Sequence, residues 1–142
     1  MQRNTWVLKQ AIDFHGHLGP YLVLGLLMGK IAVKRLACRK FFGVNALVRG
    51  ANNKPKSCLI DGIQLSTGCT YGKGNIRKAD AKRIEVIFGN PQKDKKVRVT
   101  LKENLIRKLD SLTGHKECEL FARRLWKLNP ETLFDIIIKR SS

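Results

Sequence analysis

An uninterrupted apolar segment, Leu18 to Gly29, constrains the fold of this chain more than any other feature. The segment is only about half a membrane span long and a cluster of Lys and Arg follows it, so it predicts a buried helix rather than a transmembrane one. Proline at position 20 suits the first turn of a helix, where its missing N–H is not needed. We therefore expect a central helix from Pro20 to about Arg39. Gly25 and Gly29, four residues apart, would let another backbone pack closely against one side of it.

The other predicted elements are helices first and then mostly short strands with further helices. This order does not alternate as β-α-β, so it predicts an α+β domain whose N-terminal helices pack on one face of a small mixed or antiparallel sheet. A chain of 142 residues is most simply one domain, spanning residues 1–142. The remaining predicted helices are Thr5 to about Phe14, Lys56–Ser66, Lys102–Ser111 and Lys116–Leu128, and the predicted strands are Val44–Arg49, Ile76–Asp80, Arg83–Phe88, Lys96–Leu101 and Phe134–Lys139.

The net charge of +17 is the outstanding feature of the composition. It is spread over the whole chain and fits three kinds of partner: nucleic-acid phosphates, an acidic protein, or an anionic small molecule. Because no recognised nucleic-acid motif accompanies it, nucleic-acid binding stays open but is not favoured. The four cysteines form no Cys-x-x-Cys pair, which argues against a zinc ribbon or a disulfide framework and fits a reducing cytoplasm. No secretory segment and no membrane association are expected.

The stretch from Asp61 to Asn75 carries a lone cysteine, Cys69, within Thr-Gly-Cys-Thr and continues through Gly-Lys-Gly-Asn. Glycines there permit tight turns, the threonines and Asn75 offer polar contacts, and Lys73 adds a positive charge near the sulfur. A phosphate-binding loop is excluded because the spacing is one residue short and Gly74 stands where Ser or Thr is required. A plain glycine-rich turn and a functional loop both remain open. The candidate ligand-binding residues are Asp61, Thr67, Thr70, Lys73 and Asn75, with Cys69 as a candidate nucleophile.

A second candidate motif is His15-Gly16-His17, in which two imidazoles can point the same way and could bind zinc, iron, nickel or copper. Cys69 is the preferred sulfur partner over Cys58. Eleven helical residues between them would span about 16 Å, whereas a zinc ion needs each sulfur within about 2.3 Å. The start of a helix also favours anions, so an anionic ligand or a Cys69 thiolate is an alternative to a metal. We interpret three cysteines as small core residues and one histidine as a surface residue: Cys38, Cys58, Cys118 and His115.

Taken together, the two motifs closely resemble the family of the E subunit of formylmethanofuran dehydrogenase. The resemblance rests on His15-Gly16-His17-x-x-Pro20 and on the long motif from Cys58 through Asp61-Gly62-Ile63-Gln64 and Thr67-Gly68-Cys69-Thr70 to Gly72-Lys73-Gly74-Asn75. It implies an α+β core, usually homodimeric, with a pocket lined by both motifs that can hold a transition metal. It also implies an association with the enzyme that reduces carbon dioxide onto methanofuran in methanogens, whose redox chemistry belongs to other subunits.

Two departures from the family pattern bear on the metal. The family commonly reads His-Gly-His-x-Cys-Pro-Gly, whereas this chain has Gly19 and Tyr21 around Pro20. The C-terminal zinc finger of many members is also not present in this sequence.

The leading hypothesis is thus a cytoplasmic, archaeal, methanogenesis-related accessory protein, dimeric through its apolar helices and able to join subunits of an oxidoreductase complex. Under this hypothesis its pocket holds a small ligand or a transition metal, zinc as the first guess, and His15, His17 and Cys69 are the metal ligands. The first alternative is a basic interaction module that docks an acidic protein or nucleic acid. The second is an enzyme that depends on Cys69.

Overall fold

A computed structural model describes residues 5–140 of the chain. The order of elements follows the sequence prediction closely. The helices are α1 (Thr5–His15), α2 (Pro20–Leu36), α3 (Cys58–Thr67), α4 (Glu103–Ser111) and α5 (Gly114–Lys127), with a 3-10 turn at Pro130–Thr132, and the strands are β1 (Asn45–Arg49), β2 (Ile76–Ala79), β3 (Glu85–Asn90), β4 (Lys95–Leu101) and β5 (Phe134–Arg140).

The five described strands form one mixed sheet in the order β2-β1-β3-β4-β5. The β1–β2 pair is parallel, and the β1–β3, β3–β4 and β4–β5 pairs are antiparallel. Alternate strand residues such as Val86, Phe88, Val97 and Val99 are fully buried beneath the helices, while neighbours such as Arg98 lie on the more open face. This alternation is the period of two that a half-covered sheet requires. The predicted α+β architecture, with helices on one face of a small mixed sheet, is confirmed.

Helix α2 is the centre of the domain, and its contact with α3 is unusually close. A side chain added at Gly25 would overlap the Leu59 carbonyl oxygen, and one added at Gly62 would overlap the Leu22 carbonyl oxygen. Glycine on both helices therefore brings the two backbones together, and the close packing expected at Gly25 is confirmed. Helix α2 ends three residues earlier than predicted, because Ala37 adopts a left-handed conformation (φ 49°) and its N–H bonds the Lys34 carbonyl.

Within residues 5–140, no helix is both long and apolar enough to cross a bilayer.

Candidate functional site

The two sequence motifs meet where α1 ends against α3. His15, the last residue of α1, places its Nδ1 atom 2.6 Å from Oδ2 of Asp61 in the first turn of α3. The His15 side chain is only 9% exposed, and its Nε2 atom is buried without a hydrogen bond to the protein. In the tautomer whose Nδ1–H donates this hydrogen bond to the carboxylate, Nε2 keeps a free lone pair. Proteins commonly orient a metal-binding histidine in this way: a carboxylate accepts a hydrogen bond from one ring nitrogen, and the other nitrogen binds the metal.

The second histidine of the motif lies beside the first and opens onto a cavity. The ring centroids of His15 and His17 are 4.6 Å apart. His17 lines a cavity of about 370 Å³ together with Gly19 and Tyr21 from the start of α2. The cavity is completed by Cys58 at the start of α3, and by His115 and Cys118 in the first turns of α5. Two imidazoles and two thiols thus face one space.

Three of these lining residues were not predicted to face a cavity. His115, expected to be a surface residue remote from both motifs, is exposed but lines the cavity with His17. Cys58 and Cys118, expected to be core residues, are only partly buried there. The His115-x-x-Cys118 spacing, which puts both side chains on one helical face, could have suggested the site from the sequence. What the sequence does not reveal is that α5 docks this face against the first motif.

The cavity disfavours charge on the groups that line it. Desolvation lowers the pKa of His17 below its ordinary value, and the charges of His15 and His115 lower it further. Burial raises the pKa of Tyr21 to about 12, with a contribution from Asp110. Burial, assisted by the negative charge of Asp61, also raises the pKa of the Cys58 thiol. These shifts favour the neutral forms of the His17 imidazole, the Tyr21 phenol and the Cys58 thiol.

Cys69 lies in the core and not at this cavity. It is fully buried, and its Sγ donates a hydrogen bond to the Val44 carbonyl at 3.3 Å. Burial raises its pKa, and the Thr67 hydrogen bond and the Lys73 charge oppose this only in part. Among residues 5–140, His15, His17 and Cys69 do not form a group that could hold a metal ion. The expected approach of Cys69 to His15 and His17 is not observed, and its environment does not suit a nucleophile.

The polar residues of the second motif bond chiefly to their own loop. The Thr67 hydroxyl donates to the Ile63 carbonyl at 2.6 Å and accepts the Cys69 N–H at 3.0 Å. The Thr70 N–H donates to Asn75 Oδ1 at 2.9 Å, and the Thr70 hydroxyl accepts the Lys73 N–H at 3.2 Å. Of the five predicted ligand-binding residues, only Asp61 contacts the histidine motif in these hydrogen bonds. Thr67, Thr70 and Asn75 stabilise the loop, and the Lys73 side chain extends toward Phe41 and Phe42.

Metal ligands are not already assembled in the described part of the chain. Among residues 5–140, no three His, Cys, Asp or Glu side chains are close enough together to hold a metal ion. His17 is exposed and Cys58 is partly buried, so both have room to change rotamer. The nearest fit to a metal is the oriented His15 with its buried lone pair, the adjacent His17, and the thiols of the cavity.

A larger cavity, of about 690 Å³, lies elsewhere and carries neither motif. Its wall includes the ion pairs of Glu85 with Arg98 and of Arg35 with Glu131. Because this cavity contains none of the motif residues and much of its charge is in ion pairs, the cavity beside His17 is the stronger candidate.

Comparison with known proteins agrees with the resemblance carried by the motifs. The family described as "FmdE, Molybdenum formylmethanofuran dehydrogenase operon" matches residues 14–135. A "Probable S-adenosyl-L-methionine-binding protein" of Archaeoglobus fulgidus is 32% identical over 109 residues, covering 73% of this chain and 29% of the relative. The chain thus spans less than a third of that relative's length. A crystal structure of a tungsten formylmethanofuran dehydrogenase FmdE-like protein from Syntrophus aciditrophicus, 21% identical, has a TM-score of 0.72 and covers 100% of this chain and 78% of that one, which shows a shared fold.

Proposed function

The chain belongs to the FmdE family, and from that premise we propose that it is an FmdE-like accessory protein that binds a transition metal ion beside the cavity at His17. The observation that carries the proposal is the His15–Asp61 pair, which orients an imidazole whose second nitrogen is buried and unbonded by the protein. His17 is the second ligand. Cys58, which lines the same cavity, replaces Cys69 as the sulfur ligand of the initial hypothesis.

Zinc is the first candidate for this donor set. Two imidazoles with a thiolate are typical of zinc and also suit copper, nickel and iron. The lowered pKa of His17 favours its unprotonated imidazole, which is the form that binds a metal. The Cys58 thiol would lose its proton on binding, so affinity should rise with pH.

A pair of matched variants tests the assignment of the sulfur. Cobalt(II), a spectroscopic substitute for zinc, is titrated into protein freed of metal by chelation. We expect one equivalent to bind with a thiolate-to-cobalt absorption band, which Cys58→Ser abolishes and Cys69→Ser leaves unchanged. His17→Ala should weaken binding by at least tenfold. Absence of stoichiometric binding, or loss of the band in Cys69→Ser alone, contradicts the proposal.

A small organic ligand in the cavity is the second candidate function, favoured by its volume of about 370 Å³, which exceeds what one ion needs. S-adenosyl-L-methionine, named for the Archaeoglobus relative, is the probe to use. Calorimetric titration with and without zinc distinguishes the two functions: binding that needs no metal and is abolished by Tyr21→Ala supports the organic ligand.

The place of the protein in the cell forms part of the same proposal. The family description refers to a dehydrogenase operon, which is compatible with oxidoreductase partners. The homodimer, the cytoplasmic location, the archaeal source and the link to methanogenesis stay predictions. Mass measurement in solution by light scattering tests the dimer.

A further inference from the structure

A second surface, remote in sequence from the histidines, combines exposed aromatic rings with lysines. Phe41, Phe42 and Tyr71 are 53%, 81% and 89% exposed, although rings of this size are usually covered in a folded domain. The ammonium groups of Lys40 and Lys73 lie over the phenylalanine rings, and Tyr71 stands two residues before Lys73 in the same loop. We call these five residues the aromatic–lysine patch. Contiguous exposed apolar groups of this kind generally mark an interaction site.

The second motif builds this patch. The Phe41 N–H donates to the Thr67 carbonyl at 2.7 Å, and the Phe41 carbonyl accepts from Asn75 Nδ2 at 2.6 Å. A side chain at Gly68 would overlap the Phe41 ring, so glycine is needed for this turn to pack. Phe41 itself is left-handed, with φ of 74°, a conformation that a bulky residue rarely adopts. The loop that the sequence suggested as a thiol site therefore holds two aromatic residues out toward solvent.

The charged groups in contact with the Phe41 and Phe42 rings are both lysines. The Lys73 ammonium lies 5.8 Å from the Phe41 ring centroid and 5.6 Å from that of Phe42, and the Lys40 ammonium lies 5.3 Å from Phe41. The chain has no Asp or Glu between Asp13 and Asp61, nor between Asp61 and Asp80, so the segments that form the patch carry no acidic residue. Aromatic faces with ammonium groups beside them fit a ligand that alternates flat rings with negative charges.

We propose that the aromatic–lysine patch binds single-stranded nucleic acid, with bases stacked on Phe42 and Tyr71 and phosphates held by Lys40 and Lys73. A single strand is favoured because its unpaired bases expose faces for stacking, whereas those of a duplex are stacked on one another. An anionic membrane is less well matched, since three rings offer only a small apolar surface for insertion among lipids. The net charge of +17, which the metal site does not use, supplies long-range attraction to phosphates.

Fluorescence anisotropy with a labelled oligouridylate of about 12 nucleotides, within the range of lengths that single-strand-binding surfaces cover, tests the proposal on the full chain. We expect Phe42→Ala and Tyr71→Ala each to weaken binding by roughly fivefold to a hundredfold, the range for loss of one stacked base. The matched control is Phe14→Ala, which removes another ring that is 58% exposed but lies on α1. It should change affinity less than twofold. Lys73→Ala should reduce the slope of log affinity against log salt by about 0.7.

Three results would overturn the proposal. The first is absence of binding at low salt. The second is equal affinity in Phe42→Ala and Phe14→Ala, since binding would then depend on charge alone. The third is binding to phosphatidylserine vesicles that requires Phe42 while oligonucleotide binding does not. Circular dichroism of each variant verifies that the fold is intact, and the substituted rings are exposed enough for it to be so.

Discussion

The His15 Nδ1 and Asp61 Oδ2 atoms are 2.6 Å apart although 46 positions separate the two residues in the chain. This contact fixes the end of α1 to the first turn of α3 and brings the His-Gly-His motif to the long second motif. With Nδ1 donating to Asp61, Nε2 is the ring nitrogen that carries the free lone pair. The pair therefore links the fold to the proposed metal chemistry.

Removing the charge of Asp61 should lower the affinity for the metal while the variant still folds. We expect Asp61→Asn to lower cobalt or zinc affinity by about tenfold and Asp61→Ala by up to about a hundredfold, the range for losing the partner of a ligating histidine. Competition with a chromophoric chelator measures this. Asp13→Asn is the control, because Asp13 is an exposed carboxylate on α1 whose partner is Lys9. Equal affinities in the Asp61 and Asp13 variants would contradict the role of the pair.

The alkaline titration of Tyr21, a buried residue that lines the cavity, measures how well its phenol is shielded from water. The chain has two tyrosines, so in a Tyr71→Phe variant the phenolate absorbance comes from Tyr21 alone. We expect the pKa measured in this way to be about 12, because burial disfavours the phenolate, with Asp110 adding to the shift. A midpoint near the ordinary value of about 10 would mean that water reaches the phenol.

The same shift predicts a loss of stability at high pH. The pKa of Tyr21 is raised by folding, so between about pH 10 and 12 the unfolded chain ionises first and the native state retains the proton. Stability should fall with rising pH through this window, by about 1 kcal/mol at about pH 11. Urea unfolding at neutral pH and within this window measures the change, which Tyr21→Phe should reduce.

Much of the fold could be predicted because the elements carry strong local signals. Pro20, the apolar run after it and the period-two strands such as Lys95–Leu101 identify themselves by pattern alone. The end of α2 was less predictable. Lys and Arg continue the helical pattern to position 39, and only the left-handed Ala37 stops the helix earlier.

The site was only partly predictable, since spacing along the chain does not reveal which distant elements meet. His15, His17 and Asp61 stand out in the sequence and do come together. Cys69 stands out as well, because it lies in a glycine-rich loop, yet the Val44 carbonyl just before β1 accepts a hydrogen bond from its buried sulfur. His115 and Cys118 were missed because their contribution depends on how α5 docks.

Because α2 and α3 are in close contact, we expect that adding a single methyl group between them will lower the stability of the fold. Gly62→Ala places a Cβ against the Leu22 carbonyl and the Leu26 N–H, two backbone groups that cannot move independently. We expect a loss of about 2 kcal/mol or more in the free energy of unfolding, despite the better helix propensity of alanine. Gly72→Ala is the control, because no atom lies within 4 Å of the added carbon. Equal free energies of unfolding for the two variants, measured with urea, would contradict the close packing at Gly62.

Gly19 offers a gain-of-function test of the metal site. The family motif commonly has a cysteine here, and a Cβ built on Gly19 would lie 3.4 Å from Nε2 of His17, an ordinary contact distance. Its backbone is extended (φ −136°, ψ 162°), so a side chain introduces no strain. We expect Gly19→Cys to raise cobalt affinity by at least tenfold under reducing conditions and to strengthen the thiolate-to-cobalt band. Gly19→Ser is the matched control: it improves the helix cap but supplies a hard oxygen, so it should leave affinity unchanged. Equal affinity in the cysteine and serine variants would mean that position 19 does not face the bound metal.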